Sequence, residues 1–319
     1  MPSPDAPIHG YSATLWRHAG SSGVAPQTSS LPSRHPPTHR TPTALLATPA
    51  IGASGLSLLR ADFYKLTRSK SFWICSLVGV AFAVLMVIGT NASINRLMAA
   101  DPTSPGYATA QAMHTAASAV WAIPSFLSQN FIVLLAGIFA SVFITAEFGN
   151  GTIKNTVSRG AERVTVLLSK FVTSSVASLF IFAVSVLALV VAGSIAWGFD
   201  PQGSATAGGF ITMIGLQALL IVGFTALFTF VGMTIRSTGG ALATTIIATM
   251  MVSTLLNALN ALFNTTVDLS QYWLGGAVST LATTSPASGD VIRGVIVALV
   301  WGVASLVAGA VLFRQRDVK

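Results

Sequence analysis

From residue 71 onward, apolar residues gather into six runs, near 71–94, 124–146, 171–197, 209–235, 240–262 and 293–313. Each run reaches the roughly 20 residues that a helix needs to cross a hydrocarbon core. Glycine and small polar residues punctuate the runs without breaking them, as in helices that pack closely in lipid. The pattern predicts an all-α integral membrane fold with six transmembrane helices. Two further stretches carry a helical period instead of a solid apolar run. Between 56 and 70, Leu56, Leu59, Phe63 and Leu66 recur at helical spacing, while Arg60, Lys65, Arg68 and Lys70 bring positive charge. This predicts an amphipathic helix lying in the membrane interface. Between 147 and 170, Ile153, Val157, Ala161, Val164, Leu168 and Phe171 form a stripe with steps of four, four, three, four and three. Asn150 and Thr152 are candidate caps there, and Gly160 a candidate break.

Residues 1–55 differ in kind. They hold nine of the 14 prolines, with much Ser, Thr and Gly, and proline at that density opposes both helix and sheet. The segment reads as a disordered tail preceding a membrane domain over 56–319. It has no apolar stretch of signal-peptide type, and its prolines oppose the amphipathic helix of a transit peptide. Because no methionine lies between Met1 and Met86, a start of translation nearer residue 50 is an alternative reading of this tail. His9, His18, His35 and His39 lack metal-ligand spacing.

Composition sharpens the class. Only 8% of the 319 residues are charged and 52% are hydrophobic, against roughly 25% charged in a soluble domain. The net charge of +8 therefore points to basic loops beside membrane spans and not to nucleic acid. With an inward amino terminus, 12 cations fall on cytoplasmic segments, and only Arg96 and Arg293 fall outside. That bias places both termini in the cytoplasm; the expected location of the multi-pass chain is the cell (plasma) membrane. The single Cys75 excludes an intramolecular disulfide framework. The outer segments 101–123 and 264–290 contain Trp121, Tyr272 and Trp273, which suits interfacial or re-entrant pieces.

Chemistry-bearing residues are sparse. No Asp, Glu, Lys, Arg or His sits in the interior of any run, whereas ion-coupled carriers usually keep one. The dipeptide Gly-Lys of a P-loop is absent. The chain reads as no enzyme, and any active movement it supports is driven by another subunit. Glu147 ends the second run and could pair with Arg60, Lys65 or Arg68. The amides Asn130, Gln217, Asn257 and Asn260 are candidates for a substrate path; interhelical hydrogen bonding is their commoner use.

The stretches LLRADFYKLTRSKSFW (58–73), EFGNGTIKNTVSRGAERVTVLLSK (147–170) and FRQRDV (313–318) carry a resemblance. In them the chain resembles the permease subunit of an ABC-2 type transporter, close to bacterial permeases of peptide-antibiotic and lantibiotic export and immunity. The resemblance covers 56–319. It implies that 56–70, with Arg60, Lys65 and Arg68, is an elbow helix. It implies that Glu147, Gly151, Thr152, Lys154, Arg159 and Arg163 belong to a coupling helix on a cytoplasmic ATPase. A second permease chain, the same or homologous, would complete the pathway in the lipid bilayer. ATP and magnesium would bind the ATPase, with no cofactor on this chain. Two other readings stay open: an ATP-independent channel or secondary carrier, and a membrane assembly or signalling subunit that transports nothing.

Overall fold

A computed structural model describes residues 55–153, 156, 162–198, 207–263 and 268–315. These residues are helical almost throughout, in the order α1 (Gly55–Arg68), α2 (Lys70–Met98), α3 (Pro105–Ala116), α4 (Ala119–Ser128), α5 (Phe131–Gly149), α6 (Arg163–Trp197), α7 (Ala207–Ile235), α8 (Thr238–Ile246), α9 (Val252–Phe263), α10 (Leu274–Thr280) and α11 (Ser288–Gln315). A π-helical turn over Ile247–Met251 joins α8 to α9, and a 3-10 turn over Leu269–Tyr272 precedes α10. Among the described residues six helices are long and apolar enough to span a membrane: α2, α5, α6, α7, the continuous α8–α9 pair and α11. The tail lies outside the described residues.

The helices α5 and α7 form the inside of the bundle. Buried residues make up 67% and 61% of their most apolar stretches, against 6% for α8–α9. Both α5 and α7 pack on α6, while α2 lies along α6 and α11 along α7. Phe126, Phe139, Phe224 and Phe228 are wholly buried among these helices. Close approach is set by glycine. At Gly137 on α5, a Cβ would stand 2.5 Å from the Phe228 ring and 2.9 Å from Thr245 Cγ2.

The second apolar run is not one helix from 124. It is divided at Asn130, whose backbone is left-handed with φ 56°, a conformation that Asn tolerates better than most residues. The part before it, α4, starts at Ser118, whose hydroxyl accepts from the Trp121 N–H, and it buries Ala122, Ile123, Phe126 and Leu127. The third run also differs. Instead of starting at 171, the helix begins at Arg163 and runs 35 residues, about 52 Å at 1.5 Å per residue. That exceeds the hydrocarbon core's roughly 30 Å, so its early turns reach headgroup level.

Gly137→Ala should force Phe228 or α5 to shift and lower stability by about 1–3 kcal/mol. Gly89, with nothing within 4 Å of its would-be Cβ, is the control position. Thermal unfolding of both Ala variants in detergent checks the difference.

Candidate functional site

At one end of the bundle the ends of α1, α5, α6, α7 and α11 converge. The amphipathic pattern of α1 does place a buried line on the helix, but at Asp62 and Leu66; Leu56 is 79% exposed. Asp62 therefore enters the protein beside Leu66. Glu147 occupies the last turn of α5, one turn beyond Phe143. Ser169 and Lys170 lie in the second turn of α6, and both are buried. The exposures of Asp62, Glu147 and Lys170 are 5%, 8% and 3%.

These groups satisfy one another. The Lys170 ammonium donates to Asp62 at 2.5 Å and to the Glu147 carboxylate at 2.7 Å. It also stands 5.3 Å from the centre of the Phe143 ring. The Ser169 hydroxyl donates to the second oxygen of Asp62 at 2.6 Å. Lys65, half out of the protein, donates to Glu147 at 3.1 Å and lies 4.0 Å from Asp62. Two carboxylates and two ammonium groups leave the cluster neutral. Neutrality matters because an unmatched charge taken from water costs several kcal/mol, and only close opposite charges offset that. The result is a polar tie between α1 and the ends of α5 and α6.

Apolar contacts and a helix cap widen this junction. Ile153, Val166 and Phe313 form a small buried cluster with Leu58 and Phe148 against it. The Arg163 guanidinium donates to the carbonyls of Phe313 and Arg314 at 3.1 and 3.0 Å. It thereby covers orphan carbonyls at the α11 terminus, where a cation also meets the negative end of the helix dipole. Arg236, itself at φ 54°, places its guanidinium 5.4 Å from the Phe148 ring centre.

The proposed elbow and loop residues are thus distributed unevenly. Of Arg60, Lys65 and Arg68, only Lys65 reaches Glu147; Arg68 lies over the Tyr64 ring at 4.8 Å, and Arg60 is exposed. Gly151 follows α5 with φ 66°, a left-handed position suited to glycine. Thr152 and Ile153 are helical, and the Thr156 hydroxyl donates to the Thr152 carbonyl. Lys154, Arg159 and Gly160 lie outside the described residues. Within α6 the expected stripe turns outward at Leu168, 46% exposed, while Val166, Leu167 and Lys170 are buried. Polar residues on the stripe's neighbouring face do the inward bonding, which displaces the apolar line. Asp62 and Ser169 were not singled out by sequence reasoning. The available signal was one acid in a strongly basic helix, one turn before Leu66.

The four candidate path amides do not come together. Gln217 is 1% exposed and donates to the Val278 carbonyl at 2.8 Å, holding α10 against α7. Asn260 donates to Asp268 and accepts from the Leu269 N–H. Asn130 forms the α4–α5 joint, and Asn257 is exposed on α9. Beside α10, Trp273 stacks edge-on against Phe224 and Trp301, with ring centres 6.0 and 4.9 Å apart. Asp268 collects the Ser270 hydroxyl and N–H together with the Gln271 and Asn260 amides. Donation led by the Ser270 hydroxyl holds this carboxyl below its ordinary 3.8, slight burial opposing it.

Removing one charge from the cluster leaves the others unmatched. Lys170→Met should lower stability by about 3–5 kcal/mol, and adding Glu147→Gln should recover part of the loss; thermal unfolding in detergent measures both. For Asp268 the folded pKa lies below the unfolded one, so its stabilisation is full above the unfolded value. It is lost as pH falls through the lowered value. Trp273 fluorescence should therefore change on acidification below about pH 4, and Asp268→Asn should remove that dependence.

Comparison with known proteins supplies the family. Residues 58–253 match the family described as ABC-2 family transporter protein. No curated protein sequence matches the chain. The match takes in α1, the charge cluster and the spans through the π-helical turn. With six long apolar helices and a family match over more than half its length, the chain belongs to the ABC-2 family of transporter membrane proteins, as a multi-pass permease subunit.

Proposed function

We propose that the chain is the membrane-spanning permease of an ATP-driven exporter, energised by a separate cytoplasmic ATPase that holds ATP and magnesium. Both termini then face the cytoplasm of the cell membrane, the orientation favoured by the loop cations. α1 is the elbow helix, and the segment after Gly151 is the coupling helix that docks on the ATPase. A second permease chain, identical or homologous, completes the pathway.

The observation that carries this reading is the buried cluster of Asp62, Lys65, Glu147 and Lys170. It lies at both ends of the loop, since Glu147 precedes the loop on α5 and Lys170 follows it on α6. A force applied to the loop reaches α1, α5 and α6 together through bonds that break or hold as a unit. ATP binding in a partner can then bias two arrangements of the spans, provided that the partner contacts differ between them. Arg163 serves the same end by tying the start of α6 to the end of α11. Lys154 and Arg159 are the cations proposed to meet the ATPase surface. Long apolar spans with no acid or base in their interiors favour this over ion-coupled movement.

The test is affinity purification from mildly solubilised native membranes, with wild type compared with a Lys154→Glu, Arg159→Glu variant at equal expression. Arg163 is left intact because its loss would disturb α11. A P-loop ATPase that copurifies with wild type and falls at least tenfold in the variant is the expected result. If no ATPase is recovered with either protein, even after crosslinking, the channel or scaffold reading takes precedence.

A further inference from the structure

The apolar line of α1 does not simply face the membrane. Leu66 is buried, Leu59 and Phe63 are half-buried, and Phe63 packs against the main core. The outward side is instead a ridge of Arg60, Tyr64 and Arg68, each four residues on from the last and all three exposed. Residues at that spacing stand one above another on a helix.

The ridge ends at the corner between α1 and α2. The Arg68 guanidinium lies 4.8 Å from the Tyr64 ring centre, a contact that steadies the cation without using up its N–H donors. Among the described residues no carboxylate pairs with Arg60, Arg68 or Lys70. The acid of α1, Asp62, is buried and bonded to Ser169 and Lys170. Across the corner, Trp73 folds onto the last turn of α1, its indole N–H donating to the Thr67 carbonyl at 2.9 Å. It is nevertheless 55% exposed. Lys70, Ile74 and Leu77 follow at steps of four and three on one side of α2, a membrane-spanning helix, and all are exposed. The corner thus presents cations first, then an aromatic edge, then an aliphatic stripe.

We propose that this corner binds an anionic phospholipid, with its phosphate on Arg68 and Lys70 and an acyl chain along Trp73, Ile74 and Leu77. The guanidinium fork suits phosphate oxygens. Tyr and Trp favour headgroup level, and each cation beside an anionic bilayer adds attraction. An acidic protein surface would answer the cations alone. The aliphatic stripe continuing from Lys70 calls for a molecule with a charged head and an apolar chain. Asp62 and Lys65 of the same helix belong to the buried charge cluster. The lipid therefore steadies, from outside, the element that the cluster ties to α5 and α6.

The experiment uses the full chain in detergent and needs no ATPase, so its outcome is separate from that of the transport reading. Dibrominated phosphatidylglycerol or phosphatidylcholine is added in mixed micelles. Quenching of Trp73 is read as the difference between each protein and its Trp73→Phe counterpart. In wild type, phosphatidylglycerol should quench Trp73 at a concentration at least fivefold below that needed with phosphatidylcholine. In the Arg68→Gln, Lys70→Gln variant the two lipids should become equal. Arg96→Gln, in the last turn of α2, should keep the preference. Lys65 is left intact because it serves the cluster. Equal quenching by both lipids in wild type overturns the inference, and is the result expected if a second copy of the chain covers the stripe. An unchanged preference in the double variant, or its loss in Arg96→Gln, overturns it as well, because either shows attraction without this site.

Discussion

Charge inside a chain this apolar persists only where it is matched, and the cluster at Asp62, Lys65, Glu147 and Lys170 is where the protein meets that constraint. Lys170 alone would be prohibitive at 3% exposure. Held between two carboxylates at 2.5 and 2.7 Å, it becomes the centre of a neutral network. Lys65 balances the count from the solvent side, where desolvation is least severe. The consequence is mechanical as well as electrostatic. Three elements that are far apart in sequence must keep their ends in register, because moving any one alone would strand a charge.

The rest of the bundle is arranged around that end. The long α6 reaches past the hydrocarbon core and carries Arg163, Ser169 and Lys170 on its early turns. It thereby contributes to the cap on α11, the tie to α1 and the pair with α5. Farther along, the same helix presents Ser174, Ser178 and Ser185 to the interior. In an apolar surrounding, small hydroxyl residues permit close helix approach while their bonding remains local. The α8–α9 span contrasts with this, since its surface is largely uncovered within one chain. Lipid provides the surroundings for such an apolar surface.

The candidate site was legible in part. Glu147 stood out because acids are rare and it closes an apolar run, and Lys65 was among its possible partners. Asp62 does not stand out in the sequence, since the apolar line Leu56, Leu59, Phe63 and Leu66 assigns one side of the helix to the membrane interface and leaves the acid among the polar residues. The actual face is rotated because an ion pair with Lys170 stabilises an acid inward. The path amides illustrate the converse. Asn257 and Asn260 are three residues apart, yet Asn260 is engaged by the turn at Asp268 while Asn257 is exposed. Spacing along a helix specifies a shared side, but not what stands opposite it.

By itself the sequence determined the membrane class, the six long apolar helices, the amphipathic lead-in and the family. The first three follow from local period and hydrophobicity, which a bilayer converts directly into helix length and placement; the family follows from the resemblance carried by the stretches 58–73, 147–170 and 313–318. The tertiary structure decided which charges meet, where the second run divides and which hydroxyls face one another. Those outcomes depend on contacts between residues as distant as Asp62 and Lys170, or Ser178 and Thr225. No local pattern encodes such contacts, because their energies exist only once the helices have packed.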